Sequence, residues 1–193
     1  MTVDNIKKLR EETGVGMMDC KKALEVSNGD INAAKLYLRK QGIQKAGDRG
    51  HKVASDGVIG TYKHIGDRIC VMVEVNCETD SVAHNEQFKN FAHDLAIHIA
   101  ATDPKWISRA DVPVDIIKIE REIISSDIKN KPENIKERII EGKLNKFYKE
   151  NCLMEQPFVK NSDITVHDLY LDLVMKIKEK IVIKRFVRFE VGK

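Results

Sequence analysis

The chain has 193 residues, room for one or two domains with a real core, and its 42% hydrophobic and 33% charged residues are an ordinary globular composition. Its 33 basic and 30 acidic residues are interspersed, and a net charge of +3 gives no electrostatic ground for a nucleic-acid partner. No apolar run approaches the roughly 20 residues that span a bilayer, so no membrane partner is expected. The N-terminal residues lack the basic and apolar regions of a secretory signal. Cys20, Cys70, Cys77 and Cys152 form no C-x-x-C pair and read as free thiols of a reducing compartment, packed as small hydrophobes.

In chain order, the first element is a helix with Ile6 and Leu9 on one face, broken by Gly14-Val15-Gly16. Met17, Cys20 and Leu24 then recur at helical spacing, with Asp19 in the first turn, where the helix dipole favours an anion. Asn28-Gly29-Asp30 is a turn whose Asp30 caps a third helix burying Ile31, Ala34 and Leu38 and ending at Gly42. The pattern predicts a three-helix bundle over residues 1–42, resembling a ubiquitin-associated domain. A polar stretch follows, read as a linker or weak helix, with the linker placed at residues 43–56. The remainder, 57–193, reads as an α+β core in which a small antiparallel sheet packs against helices.

Within that core, Val58–Ile65 and Arg68–Cys77 are rich in β-branched residues around Gly66-Asp67 and predict an antiparallel hairpin. Phe88, Phe91, Ala92, Leu95, Ala96 and Ile99 form the strongest helical stripe in the chain. His93 and His98, five apart, do not share a helix face as zinc ligands would and read as surface or rim residues. A helix is predicted from about Asp115 to Ile128, and another with Pro132 in its first turn. Thr165-Val-His-Asp168 resembles a capping box opening a helix with Val166, Leu169, Tyr170, Leu173, Val174 and Ile177 along one face. In the last strand, Ile181, Ile183, Val187, Phe189 and Val191 are expected to alternate to one face and rejoin the hairpin's sheet.

No phosphate-binding glycine motif, nucleophile elbow or zinc-protease motif occurs, and the carboxylates are scattered over amphipathic faces. Cys77 and His84 lack a third group to orient them as a nucleophile pair. No enzyme activity, cofactor or bound metal is therefore expected. Two features remain. Adjacent on a helix, Met17 and Met18 point about 100° apart; they are either one buried and one surface residue or a soft contact for a partner helix. Glu78-Thr79-Asp80-Ser81 forms a polar tip between a buried strand and a helix, which either presents function or simply caps the helix.

Leu9-Arg-Glu-Glu-Thr-Gly-Val-Gly-Met-Met-Asp-Cys-Lys-Lys-Ala-Leu24 and Glu74-Val-Asn-Cys-Glu-Thr-Asp-Ser-Val-Ala83 resemble the two signatures of the translation elongation factor Ts family. Glu141-Gly-Lys, Glu155-Gln-Pro-Phe158 and Arg185-Phe-Val-Arg-Phe-Glu190 resemble later blocks of that family, in order. The resemblance implies a guanine-nucleotide exchange factor that binds GDP-bound elongation factor Tu and promotes GDP release by disturbing the partner's Mg²⁺ and phosphate site. Carried over by position, Thr79, Asp80, Ser81 and Val82 form the tip that acts there. Arg10, Met17, Met18 and Lys21 match the positions of the N-terminal bundle that grip the nucleotide domain of Tu. Ser81 departs from the family pattern, in which most members carry a wedging Phe. The resemblance is closest to the short forms with a single α/β module, expected to be homodimers in a bacterial cytoplasm or an organelle matrix or stroma. The rival reading is an interaction module for ubiquitin-like partners or RNA.

Overall fold

In the computed structural model, residues 3–48, 51–128 and 132–193 are described; residues 1 and 2, Arg49 and Gly50 of the expected linker, and 129–131 lie outside. The hairpin forms as predicted: Asp56–Lys63 (β1) pairs antiparallel with Ile69–Cys77 (β2). In the connecting turn both Gly66 and Asp67 take positive φ. β2 hands over to a single helical turn, Asp80–Ala83 (α4), and then to Glu86–Thr102 (α5). The returning strand, Val182–Glu190 (β5), pairs antiparallel with the other edge of β2, giving the order β1-β2-β5. Val71, Val73, Val75 and Cys77 of β2 face the buried stripe of α5, and each large side chain so buried contributes about 1.5–3 kcal/mol. Gly60 makes the contact between β1 and α5 close, because a Cβ there would lie 2.4 Å from the carbonyl oxygen of Ala92.

The last strand corrects the predicted alternation. Glu74 pairs with Arg185 but Val75 pairs with Ile183, so the register skips Lys184. A bulge of this kind exchanges the faces of all later residues. Ile181 and Ile183 are buried as expected, but Phe186 then turns to the core, leaving Val187 and Phe189 outward at 38% and 62% exposure.

The N-terminal helices are Val3–Thr13 (α1), Met17–Val26 (α2) and Ile31–Asp48 (α3). Leu9, Val15, Cys20, Ala23, Leu24, Ala34 and Leu38 form their core. Asp30 Oδ1 accepts from Ala33 N at 2.9 Å, the predicted cap. Gly42, however, does not end α3, which continues to Asp48, the helical alternative of the stretch read as linker or weak helix. Its smallness serves packing instead: a Cβ would meet Met175 Cγ at 3.1 Å and the carbonyl oxygen of Leu171 at 3.2 Å. Those residues belong to Val166–Ile177 (α8), opened by the predicted capping box, in which Thr165 and Asp168 exchange hydrogen bonds of 3.0 and 3.1 Å. Met175 enters the bundle core, while Leu173 and Val174 enter the sheet core. Val114–Asp127 (α6) and Glu133–Asn151 (α7) pack on each other around Ile124, Ile128, Ile140 and Leu144. Pro132 sits just ahead of the first turn of α7, where its carbonyl accepts from Ile135 and Lys136.

His98 is the other correction, for it is fully buried rather than at the surface or rim. It joins α5 to the segment around the short pair Pro157–Phe158 (β3) and Asn161–Thr165 (β4). Val159 N donates to Nδ1 at 3.2 Å, which leaves Nε2–H to donate to Gln156 Oε1 at 2.9 Å. A second ring proton would face the Val159 N–H, and burial holds the His98 pKa below its usual value. The folded chain therefore keeps His98 neutral while the unfolded chain takes up a proton below about pH 6.5. Stability should be full above that pH and decline from it toward the depressed folded-state pKa. Urea unfolding between pH 7.5 and 5.5 checks this, with the expectation that His98→Gln shows the flatter dependence.

Candidate functional site

The polar tip starts where β2 runs out of partners. Cys77 is the last buried residue of the strand, and its thiol donates to the Thr79 carbonyl oxygen at 3.2 Å. Burial, aided by the Glu179 charge, pushes that thiol up to about 11, so it stays protonated and serves as a donor. Thr79 is the N-cap of α4: its Oγ1 accepts from Val82 N at 3.4 Å and its carbonyl accepts from Val82 and Ala83 at 3.2 Å. Asn85 then caps α5, accepting from Gln87 N at 2.8 Å. The cap is thus Thr79 rather than the Asp or Ser that capping would have used, and Asp80 and Ser81, inside the turn, stand at the apex.

Asp80 and Ser81 are exposed, the Asp80 side chain at 77%. His84, one turn on, lies beside Asp80, its Nδ1 3.2 Å from Oδ1. Val82 is half-buried against the sheet core and Ala83 is buried, so the predicted site divides into an anchored root and a presented apex.

The root is braced by a residue that sequence reasoning missed. Glu179, in the connection from α8 to β5, accepts from the backbone N–H groups of Glu78 and Thr79 through Oε2, both at 3.1 Å. Its Oε1 accepts from Thr79 Oγ1 at 2.7 Å. Glu78 returns the favour, its Oε1 accepting from Lys180 N at 2.6 Å. Nothing in local sequence signals this, because the partners are about a hundred residues apart. Beside Glu179, Lys178 turns out of α8 in the left-handed conformation (φ 62°) and places Nζ 2.8 Å from Asp19 Oδ2 on α2. That bond, with Lys45 at 3.5 Å, holds the Asp19 carboxyl below the usual carboxylate range.

The second predicted set lies on the bundle. Arg10 is exposed at the end of α1, Met17 and Met18 are exposed in the first turn of α2 at 54% and 74%, and Lys21 is exposed one turn on, 3.9 Å from Glu25. Met17 is therefore not part of the Cys20–Leu24 core stripe; Val15, in the turn before the helix, takes that place at 2% exposure. The two predicted sets stand on separate elements and are joined through Asp19, Lys178 and Glu179.

The family model described as Elongation factor TS matches residues 39–193. The Elongation factor Ts of Moorella thermoacetica is 52% identical over 190 residues, covering 97% of this chain and 94% of its own. That of Carboxydothermus hydrogenoformans is 51% identical, covering 100% and 89%, and that of Thermodesulfovibrio yellowstonii 49%, covering 100% and 96%.

Because both methionines already stand in solvent, the double substitution Met17→Ala and Met18→Ala should leave stability within about 0.5 kcal/mol of the parent. Thermal unfolding followed by circular dichroism checks this; a large loss would place one of them in the core.

Proposed function

The chain belongs to the elongation factor Ts family, and from that premise we propose that it is a guanine-nucleotide exchange factor acting on GDP-bound elongation factor Tu during protein synthesis. The observation that carries the reading is a tip anchored at its root and exposed at its apex. In this reading the bundle of residues 1–42 holds the nucleotide domain of Tu through Arg10, Met17, Met18 and Lys21. The flexible thioether side chains suit adaptable contact with a partner helix. Thr79 and Val82 fix the tip, while Asp80 and Ser81 enter beside the partner's Mg²⁺ and phosphate site. Mg²⁺ tolerates little departure from octahedral oxygen geometry, so shifts that Asp80 imposed on its ligands and waters would weaken it. Weaker metal binding removes the largest positive charge beside the diphosphate, and GDP leaves. The coupling is reciprocal: the chain lowers GDP affinity by the same factor by which GDP lowers affinity for the chain. The chain does no covalent chemistry in this scheme and works as a binding partner, in a bacterial cytoplasm or an organelle matrix or stroma.

Residues 57–193 serve in the same reading as a dimerisation domain, with 43–56 joining them to the bundle. The outer face of the sheet, opposite α5, carries Ile59, Met72, Val187 and Phe189 in solvent. A two-fold symmetric copy would cover these apolar side chains, and two-fold pairing is the commonest solution for such a surface.

Two measurements check this reading. Labelled GDP release from the cognate Tu should quicken with the parent chain and slow clearly with Asp80→Ala. Ser81→Ala should change the rate by less than about threefold, or ~0.7 kcal/mol of barrier, because serine has already given up the apolar wedge. An unimpaired Asp80→Ala beside an impaired Ser81→Ala would reverse the assignment. For the dimer, light scattering at micromolar concentration without Tu should give twice the 22.0 kDa chain mass, and Phe189→Arg should halve it; a monomeric parent would overturn the pairing.

A further inference from the structure

The tip's shape is not set by its own sequence. A one-turn helix has no stability of its own, since nucleation costs more than one turn returns. What holds it is a pair of crossed carboxylates. Glu179 takes both N–H groups at the entry to the tip and the Thr79 hydroxyl, and Glu78 takes the N–H of Lys180. Hydrogen bonds to an ionised carboxylate are roughly twice as strong as neutral ones, and Glu179 is half-buried, where water competes less. Thr79 is then fully engaged: its N–H and hydroxyl donate to Glu179, and its carbonyl accepts from Cys77, Val82 and Ala83. The clasp is held from behind as well, because Lys178 pairs with Asp19 of α2 and the Lys180 ammonium donates to the carbonyl oxygen of Lys52 at 2.7 Å.

We infer that Glu179 is the positioning residue of nucleotide exchange in this chain: it touches neither Tu nor nucleotide but fixes the Thr79 backbone and thereby the direction in which Asp80 and Ser81 project. The inference rests on the exchange reading above. Its particular weight here comes from Ser81, which offers no bulky side chain to seat the tip in a partner pocket. Orientation must then be supplied from within the chain, before contact. Loss of the clasp acts on the step that expels GDP rather than on docking, because the carboxylate of Glu179 bonds Glu78 and Thr79, whereas the bundle is tied in through Lys178 and Asp19, which the substitution leaves in place.

The test uses the full chain and cognate Tu loaded with labelled GDP, titrated to saturation. Glu179→Ala should lower the maximal release rate at least tenfold while moving the half-saturating concentration less than threefold. Glu179→Gln keeps an acceptor for the two N–H groups and should restore the rate to within about threefold of the parent. Hydrogen exchange gives a readout that does not depend on activity. The amides of Glu78 and Thr79 should lose protection in Glu179→Ala and regain it in Glu179→Gln, with the amides of the β2 core unchanged. If the parent speeds GDP release and Glu179→Ala does so equally, or if the two variants are equally impaired, the positioning role is overturned. If the parent itself does not speed release, the exchange reading falls, and the amide protection still decides whether Glu179 holds the tip. A loss of β2 protection in both variants would mean that Glu179 serves the fold as a whole and would also overturn the inference.

Discussion

The architecture depends on the two-sided burial of α8. Leu173 and Val174 complete the core between sheet and α5, and Met175, one position further on, completes the core of the N-terminal bundle. Gly42 lets α3 approach that helix to backbone contact, and the Arg39–Asp168 ion pair spans the same junction. A small three-helix bundle buries too little surface to be robust alone. By borrowing Met175 it gains core and becomes seated on the α/β layer. The connection leaving α8 is consequently held by both halves, and it carries Lys178 and Glu179.

That placement explains how a short polar tip can be held by hydrogen bonds without being buried. Strand β2 is central, paired on both edges, and ends in a cysteine kept neutral by its surroundings. The chain beyond it would ordinarily be a mobile loop, yet its first two amides and the threonine hydroxyl are taken by one carboxylate from the opposite end of the sequence. Acidic residues so concentrated would repel one another in isolation. Here Glu78 and Glu179 each face N–H donors from the other's segment, which offsets the repulsion with directed hydrogen bonds. Asp80, by contrast, is left in solvent beside His84 and free to meet a partner.

The bulge in β5 has a consequence of similar reach. Without it Val187 and Phe189 would point into the core and Arg188 to solvent. With it, the arginine side chain is 11% exposed and bonds Glu190 and the Ala100 carbonyl. The two apolar residues are delivered to the outer face instead, next to Met72. The Glu74–Arg185 pair marks the last register before the skip, and the Arg185 hydrogen bond holds the Glu74 carboxyl below its usual range. One extra residue thus adds Val187 and Phe189 to the outer face that already carries Ile59 and Met72.

The elements themselves were legible in the sequence because their causes are local. The α5 stripe, the Thr165–Asp168 capping box, the Asp30 cap and the β-branched hairpin each follow from spacing over a few residues. What only the tertiary structure decided involves partners far apart in the chain. His98 looked like a rim residue because periodicity cannot report that Gln156 and Val159 close over it. Gly42 looks like a helix stop because glycine commonly ends helices, although it also admits close neighbours. The face of Phe189 depended on a skipped register that alternation alone cannot contain. Glu179 read as one more surface charge until folding brought it to the amides of Glu78 and Thr79: a carboxylate's role is set by the donors it meets, and those are chosen by topology.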